Sequence, residues 1–148
     1  MRGDLLLDTS VLSLLAPGRP QLPAKAIAVL RAKGDGLFIS TITVMEIQQG
    51  IEKLRRSPDR AERAADIDRW LAASLHEFGE RVLPFDEPCA REAGRLSDRA
   101  FASGRHPGFA DIAIAATAAV HQLTILTSNI RHFAPLGVAC RDPFESTS

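Results

Sequence analysis

The chain predicts a three-layer α/β/α fold on a short parallel sheet of about five strands. Short apolar runs alternate with longer segments of helical periodicity along all 148 residues. No tight-turn signal joins two apolar runs, so crossover helices rather than hairpins must link the strands. At 45% hydrophobic and 24% charged, the chain can fill a sizeable core.

Leu5–Leu7 read as the first strand, and Val11, Leu12, Leu14 and Leu15 as the helix behind it. Ala16-Pro17-Gly18-Arg19-Pro20 breaks the chain into a loop. Ala24–Ala32 form a helix with Ala26, Ile27 and Leu30 on its apolar face and Gly34 at its end. Leu37–Ser40 form a strand, and Thr41 starts a helix carrying Ile42, Val44, Met45, Ile47, Ile51 and Leu54 at helical spacing. Ser57 suits an N-cap and Pro58 a first helical position. The helix they open runs to about Phe78, with Ile67, Trp70, Leu71 and Leu75 as its stripe. Its other face, rich in arginine and acid, reads as a solvated surface. Arg81-Val82-Leu83-Pro84-Phe85 form a strand ending at proline, and Asp86-Glu87-Pro88 cap and open the next helix. After the Gly104–Gly108 loop, Ala110–Val120 form a helix that is apolar almost all round, hence buried. Leu123–Thr127 and Val138–Cys140 complete the strands, and residues 1–142 read as one domain with a tail over 143–148.

No apolar run is long enough to span a bilayer, so no membrane partner is expected. Met1-Arg2-Gly3-Asp4 lacks the regions of a signal peptide, so the expected location is cytoplasmic. Cys89 and Cys140 make neither a disulfide framework nor a zinc pattern and read as small core hydrophobes. With 18 basic and 18 acidic residues the net charge is zero, so any nucleic acid must be held by local arginines or by metal.

Three carboxylates stand where apolar sequence surrounds them. Asp8 ends the first strand, where ligands bind in open α/β sheets, although it also suits a helix cap. Glu46 is flanked by Met45 and Ile47, with Gly50 one turn on; the glycine leaves room for a ligand or another backbone, or Glu46 simply edges the surface. Asp111 lies in the first turn of the most apolar helix, which the helix dipole favours. A buried carboxylate without a partner is costly, and no lysine or arginine lies one turn away. Asn129 follows the fourth strand much as Asp8 follows the first, and it too suits a turn or cap. In a parallel sheet these positions share the carboxyl edge of the strands. Converging carboxylates need a cation, and an all-oxygen donor set suits Mg²⁺ or Mn²⁺. The chemistry implied is phosphodiester hydrolysis, with one carboxylate free to take a proton from water.

In order and spacing, four segments resemble the PIN-domain family of metal-dependent ribonucleases, specifically the VapC-type and FitB-type toxins of bacterial toxin–antitoxin pairs. They are Leu6–Val11, Ile39–Gly50, Asp111–Ala118 and Ile125–Phe133, which together cover essentially the whole chain. By that resemblance Asp8, Glu46 and Asp111 correspond to the family's metal-binding and catalytic acids. A further family acid near the end of the fourth strand is Asn129 here, which implies one tightly held metal. The hydroxyls of Thr9, Thr127 and Ser128 would orient water or carboxylates. Arg105, His106, Arg131 and His132 flank the site in sequence and are candidates for RNA phosphate contact, or are solvated loop residues. The resemblance implies an RNA substrate, a homodimer and a cognate antitoxin.

Two other readings stay open. A dehalogenase-like phosphoryl-transfer domain would use Asp8 as nucleophile, but the aspartate expected two residues on is Ser10. A non-catalytic module would keep the fold and a protein partner and cleave nothing.

Overall fold

Residues 3–144 are described by a computed structural model, in which five strands form one parallel sheet. They are β1 (Leu5–Leu7), β2 (Leu37–Ser40), β3 (Val82–Leu83), β4 (Thr124–Leu126) and β5 (Cys140–Arg141), in the order β3-β2-β1-β4-β5. The chain builds outward from β1 through β2 to β3, then returns to lay β4 on the other side of β1. The strand order therefore reverses between β1 and β4, where Leu7 pairs with Leu126.

Helices cover both faces: α1 (Thr9–Leu12), α2 (Ala24–Lys33), α3 (Thr41–Arg55), α4 (Ala61–Phe78), α5 (Glu87–Ala102), α6 (Phe109–His121) and α7 (Ile130–Phe133). The period-two geometry of β1 divides the core. Leu6 points into a cluster built with Ala93 and Leu96 of α5 and Ala113 and Ile114 of α6. Leu5 and Leu7 point the other way, onto Val11, Ile47, Ile51 and Leu71. The α6 run from Ile112 to Ala118 is wholly buried, as its all-round apolar sequence requires.

Three boundaries differ from the sequence expectation. The strand expected over Arg81–Phe85 keeps only Val82–Leu83, because Arg81 belongs to a 3₁₀ turn and Pro84 has no N–H for the ladder. The Phe85 amide donates to the Thr41 hydroxyl instead (3.1 Å). The last strand shifts to Cys140–Arg141, after a 3₁₀ turn closed by Gly137 at φ +75°. Ser57 makes no side-chain cap; Pro58–Arg60 form a 3₁₀ turn and α4 begins at Ala61. Cys89 is buried and Cys140 half-buried. The expected tail keeps Pro143 and Phe144 in a turn, and its remaining residues, 145–148, lie outside the described ones, as do Met1 and Arg2. Among the described residues no helix is long and apolar enough to cross a membrane.

The helix that carries Glu46 is well started and poorly continued. Fully buried Ser40 caps α3 by accepting from the Ile42 amide (3.0 Å). Among the described residues nothing stands within 4 Å of where a Cβ on Gly50 would lie, so none of their backbone needs the missing side chain. Ser40→Ala should therefore cost about 1 kcal/mol. Gly50→Ala should gain up to about 1 kcal/mol. Each kilocalorie moves the thermal midpoint by about 2–4 °C in a chain of this size, which calorimetry resolves.

Candidate functional site at the carboxyl edge of the sheet

Asp8 sits where β1 gives way to α1, at the point of strand reversal. Its amide donates to the Leu126 carbonyl (3.0 Å), which extends the pairing of β1 with β4 by one residue. Its carbonyl accepts from the Val11 and Leu12 amides at 3.0 Å each, so the backbone starts the helix. The side chain makes no capping bond. Instead, one carboxylate oxygen, Oδ2, accepts from both Ser10 Oγ and Thr127 Oγ1 at 2.8 Å each.

Those hydroxyls are themselves held. Ser10 Oγ accepts from the Ser128 amide (3.2 Å), and Thr127 Oγ1 from the Asn129 amide (2.9 Å). Each hydroxyl thus passes the polarity of a backbone N–H in the turn after β4 on to Asp8, an arrangement whose bonds strengthen one another. Asp8 is 4% exposed. Its Oδ1 accepts no hydrogen bond from the described residues and remains available to a ligand.

Asp111 occupies the first turn of α6, with Oδ2 3.3 Å from Nδ1 of His132 on α7. This is the partner that local sequence did not supply. Burial raises the Asp111 carboxyl above its ordinary value; His132 pulls the other way, and the nearby charge of Asp8 adds to the rise. Two carboxylates therefore repel across a partly dry gap, with no lysine or arginine paired to either among the described residues.

Glu46 approaches from the other side. The Thr9 hydroxyl donates to Glu46 Oε1 (2.6 Å) and stands 3.0 Å from the Thr43 hydroxyl, one turn before Glu46 on α3. Thr9 and Glu46 line a cavity of about 560 Å³ between the α1 turn, α3 and α4. Asp111 lines a second of about 440 Å³, together with Arg105, His106, Arg131 and His132. The structure thus brings Asp8 beside Asp111 and ties Glu46 to the same edge through Thr9. Among the described residues, no three His, Cys, Asp or Glu side chains make a ready-made metal cluster.

Asn129 stands at the start of α7, and its side chain makes no capping bond. Ser128 is exposed and contributes its amide. Two hydroxyls escape the sequence patterns: Ser10, which reads as a turn residue, and Thr43, hidden among apolar neighbours. A buried hydroxyl one helical turn from a suspect acid is the signal that finds Thr43.

Asp8 and Asp111 offer only oxygen donors, one of them the Asp8 oxygen Oδ1, which the hydroxyl network leaves uncommitted. Mg²⁺ keeps several waters and is commonly held by one or two protein carboxylates, so the pair fits it without a third.

A family model described as PIN domain matches residues 5–136. The chain is 33% identical over 141 residues to Toxin FitB of Neisseria gonorrhoeae, covering 95% of this chain and 98% of that one. To VapC ribonuclease Y4jK of Sinorhizobium fredii it is 32% identical over 142 residues, 95% and 98% of the two chains. Among solved structures, FitAB bound to an IR36 DNA fragment superposes with a TM-score of 0.78 at 32% identity, covering 97% of this chain and 98% of that one. The chain belongs to the PIN-domain family.

Proposed function

We propose that the protein is a metal-dependent endoribonuclease, the toxin of a toxin–antitoxin pair, and that Asp8, Asp111 and Glu46 carry its chemistry with Mg²⁺ or Mn²⁺. The observation that carries this reading is the juxtaposition of Asp8 and Asp111 at the strand reversal, with no lysine or arginine among the described residues paired to either. The names of the relatives, Toxin FitB and VapC ribonuclease, support it.

Asp8 Oδ1 and Asp111 would hold the cation. A bound divalent ion supplies Lewis acidity to the scissile phosphate and lowers the pKa of an attacking water. Ser10 and Thr127 fix the Asp8 rotamer through Oδ2, so Oδ1 faces the substrate side without reorganisation. Thr9 holds Glu46 by one oxygen, leaving the other to accept the water's proton. His132 keeps Asp111 in place from α7. Asn129 brings no charge, which favours a single metal. Arg105, His106 and Arg131 share a cavity with Asp111, which supports a role for them in meeting RNA phosphates. The partners proposed are single-stranded RNA, a cognate antitoxin and a second copy of this chain.

Nothing favours the phosphoryl-transfer alternative. Ser10, two residues after Asp8, spends its proton on Asp8, and no lysine pairs with Asp8 among the described residues. The purified chain should cleave single-stranded RNA with Mg²⁺ or Mn²⁺ and stop in EDTA. Asp8→Asn should abolish both cleavage and calorimetric Mn²⁺ binding; EDTA-resistant cleavage would sink the mechanism. Thr127→Val should retain the fold and weaken metal binding by about 10–100-fold, read in the same titration.

Asp111→Asn separates function from stability. A carboxyl raised in the folded state binds its proton more readily there than when unfolded, so its ionisation costs stability as pH climbs through the folded value. In metal-free buffer at neutral pH the asparagine variant should melt higher than the parent while losing activity. A lower melting point would mean that Asp111 is a structural partner of His132.

A further inference from the structure

Glu46 is held through a pair of hydroxyls whose protons can be counted. Thr9 Oγ1 stands 2.6 Å from Glu46 Oε1 and 3.0 Å from Thr43 Oγ1, yet it carries a single proton. A carboxylate only accepts, and 2.6 Å is the length of a hydroxyl donating to one, so the Thr9 proton goes to Glu46. The longer contact must then use the proton of Thr43, which donates to Thr9. Thr43 is fully buried and has no other side-chain hydrogen bond among the described residues. A threonine within a helix can return its proton to the carbonyl one turn back, as Thr117 of α6 does to Ala113 at 2.8 Å. Thr43, the third residue of α3, spends its proton on Thr9 instead. The two hydroxyls are unequally anchored: Thr9 opens a helix of 4 residues, whereas Thr43 belongs to one of 15 and lies three residues before Glu46, on the same face.

We infer that Thr43 is a positioning residue for the reaction: acting through Thr9, it fixes Oε1 of Glu46 and leaves Oε2 as the oxygen that takes the proton from water. The inference rests on the ribonuclease reading. Donation from Thr43 turns the Thr9 oxygen toward α3 and leaves its own proton directed at Glu46, and bonds chained in this way strengthen one another. The hydroxyls around the site thus fall into two sets with separate tasks. Ser10 and Thr127 hold Asp8, on the cation side. Thr43 and Thr9 hold Glu46, on the water side. Among the described residues no side-chain hydrogen bond joins one set to the other. Loss of the Thr43 hydroxyl should therefore slow the chemical step and leave metal binding alone, the opposite of what loss of the Thr127 hydroxyl does.

The test uses the full chain, Mg²⁺ and a single-stranded RNA of mixed sequence. Thr43→Val keeps the branched shape and removes the proton; its kcat should fall about tenfold with KM unchanged, the mark of an interaction that matters only in the transition state. Calorimetric Mn²⁺ affinity should stay at the parent value, and Thr43→Ser should recover most of the rate. Thr43→Val combined with Glu46→Gln should be no slower than Glu46→Gln alone, because Thr43 acts only through Glu46. Thr117→Val, the same change at another fully buried threonine, should cleave like the parent. A further readout needs neither metal nor RNA: in the chain labelled with ¹³C on threonine methyls, the Thr9 resonance should move in Thr43→Val and in Glu46→Gln, while that of Thr127 stays. The inference is overturned if Thr43→Val cleaves as fast as the parent, if the losses of the two substitutions multiply, or if the Thr9 resonance does not move. A Thr43→Val chain that melts well below the parent, with a rate that serine does not restore, overturns it too and leaves Thr43 a purely structural residue. In all these cases the parent still cleaves and the ribonuclease reading stands. A parent that does not cleave RNA overturns that reading and the inference with it.

Discussion

The pairing of β1 with β4 is the constraint on which the site depends. These strands are distant in sequence, and the chain can join them only after β2 and β3 have been laid on the opposite side. One consequence is geometric: the helices leaving β1 and β4 diverge, opening the sheet edge where Asp8 stands. The other is chemical. The Asp8 amide bonds to the Leu126 carbonyl, which fixes Thr127 one step on and sets its hydroxyl 2.8 Å from the Asp8 carboxylate. A slip of one residue would turn every side chain of a short strand to the other face and dismantle the network, so the fully apolar inward residues of β1 and β4 guard the site as well as the core.

The network resolves the two roles that Asp8 can play. A capping aspartate turns its side chain back on the first amides of its own helix. Here the backbone begins the helix alone, while Oδ2 takes hydroxyl protons from Ser10 and Thr127. A buried carboxylate supported by neutral donors is a charge kept for something outside the fold. Asp111 tells the same story from across the gap, since burial and Asp8 both oppose its ionisation and only His132 favours it. Folding tolerates this repulsion because the Ala-rich core of α6 and the apolar strands supply stability elsewhere. The cost of keeping two carboxylates together is what a cation would relieve.

Much of this was legible in the sequence, and the exceptions share a cause. The parallel sheet followed from alternating apolar runs, and the suspicion of Asp111 followed from one acid in an otherwise apolar helix. What the sequence could not show was pairing between distant segments. Asp111 lacks a cation one turn away, yet His132 arrives from α7. Ser10 reads as a turn residue because its acceptor is Asp8 and its donor comes from the turn after β4, more than a hundred residues on. The strand limits at Pro84 and Gly137 moved because backbone chemistry overrode apolar character. Gly50 suggested room for a ligand or a second backbone; no backbone among the described residues occupies it.

Net charge misleads most where pairing is uneven. A chain with 18 basic and 18 acidic residues offers no bulk attraction for nucleic acid, and composition alone argues against such a partner. Neutrality, however, is a sum, and fields are local. On α3 and α4 the acids at positions 52, 66 and 68 pair with Arg55 and Arg69, while Arg60 and Arg63 make no ion pair with a described residue. Helical periodicity does the sorting: residues three or four apart share a face and can pair, while those offset by about half a turn cannot.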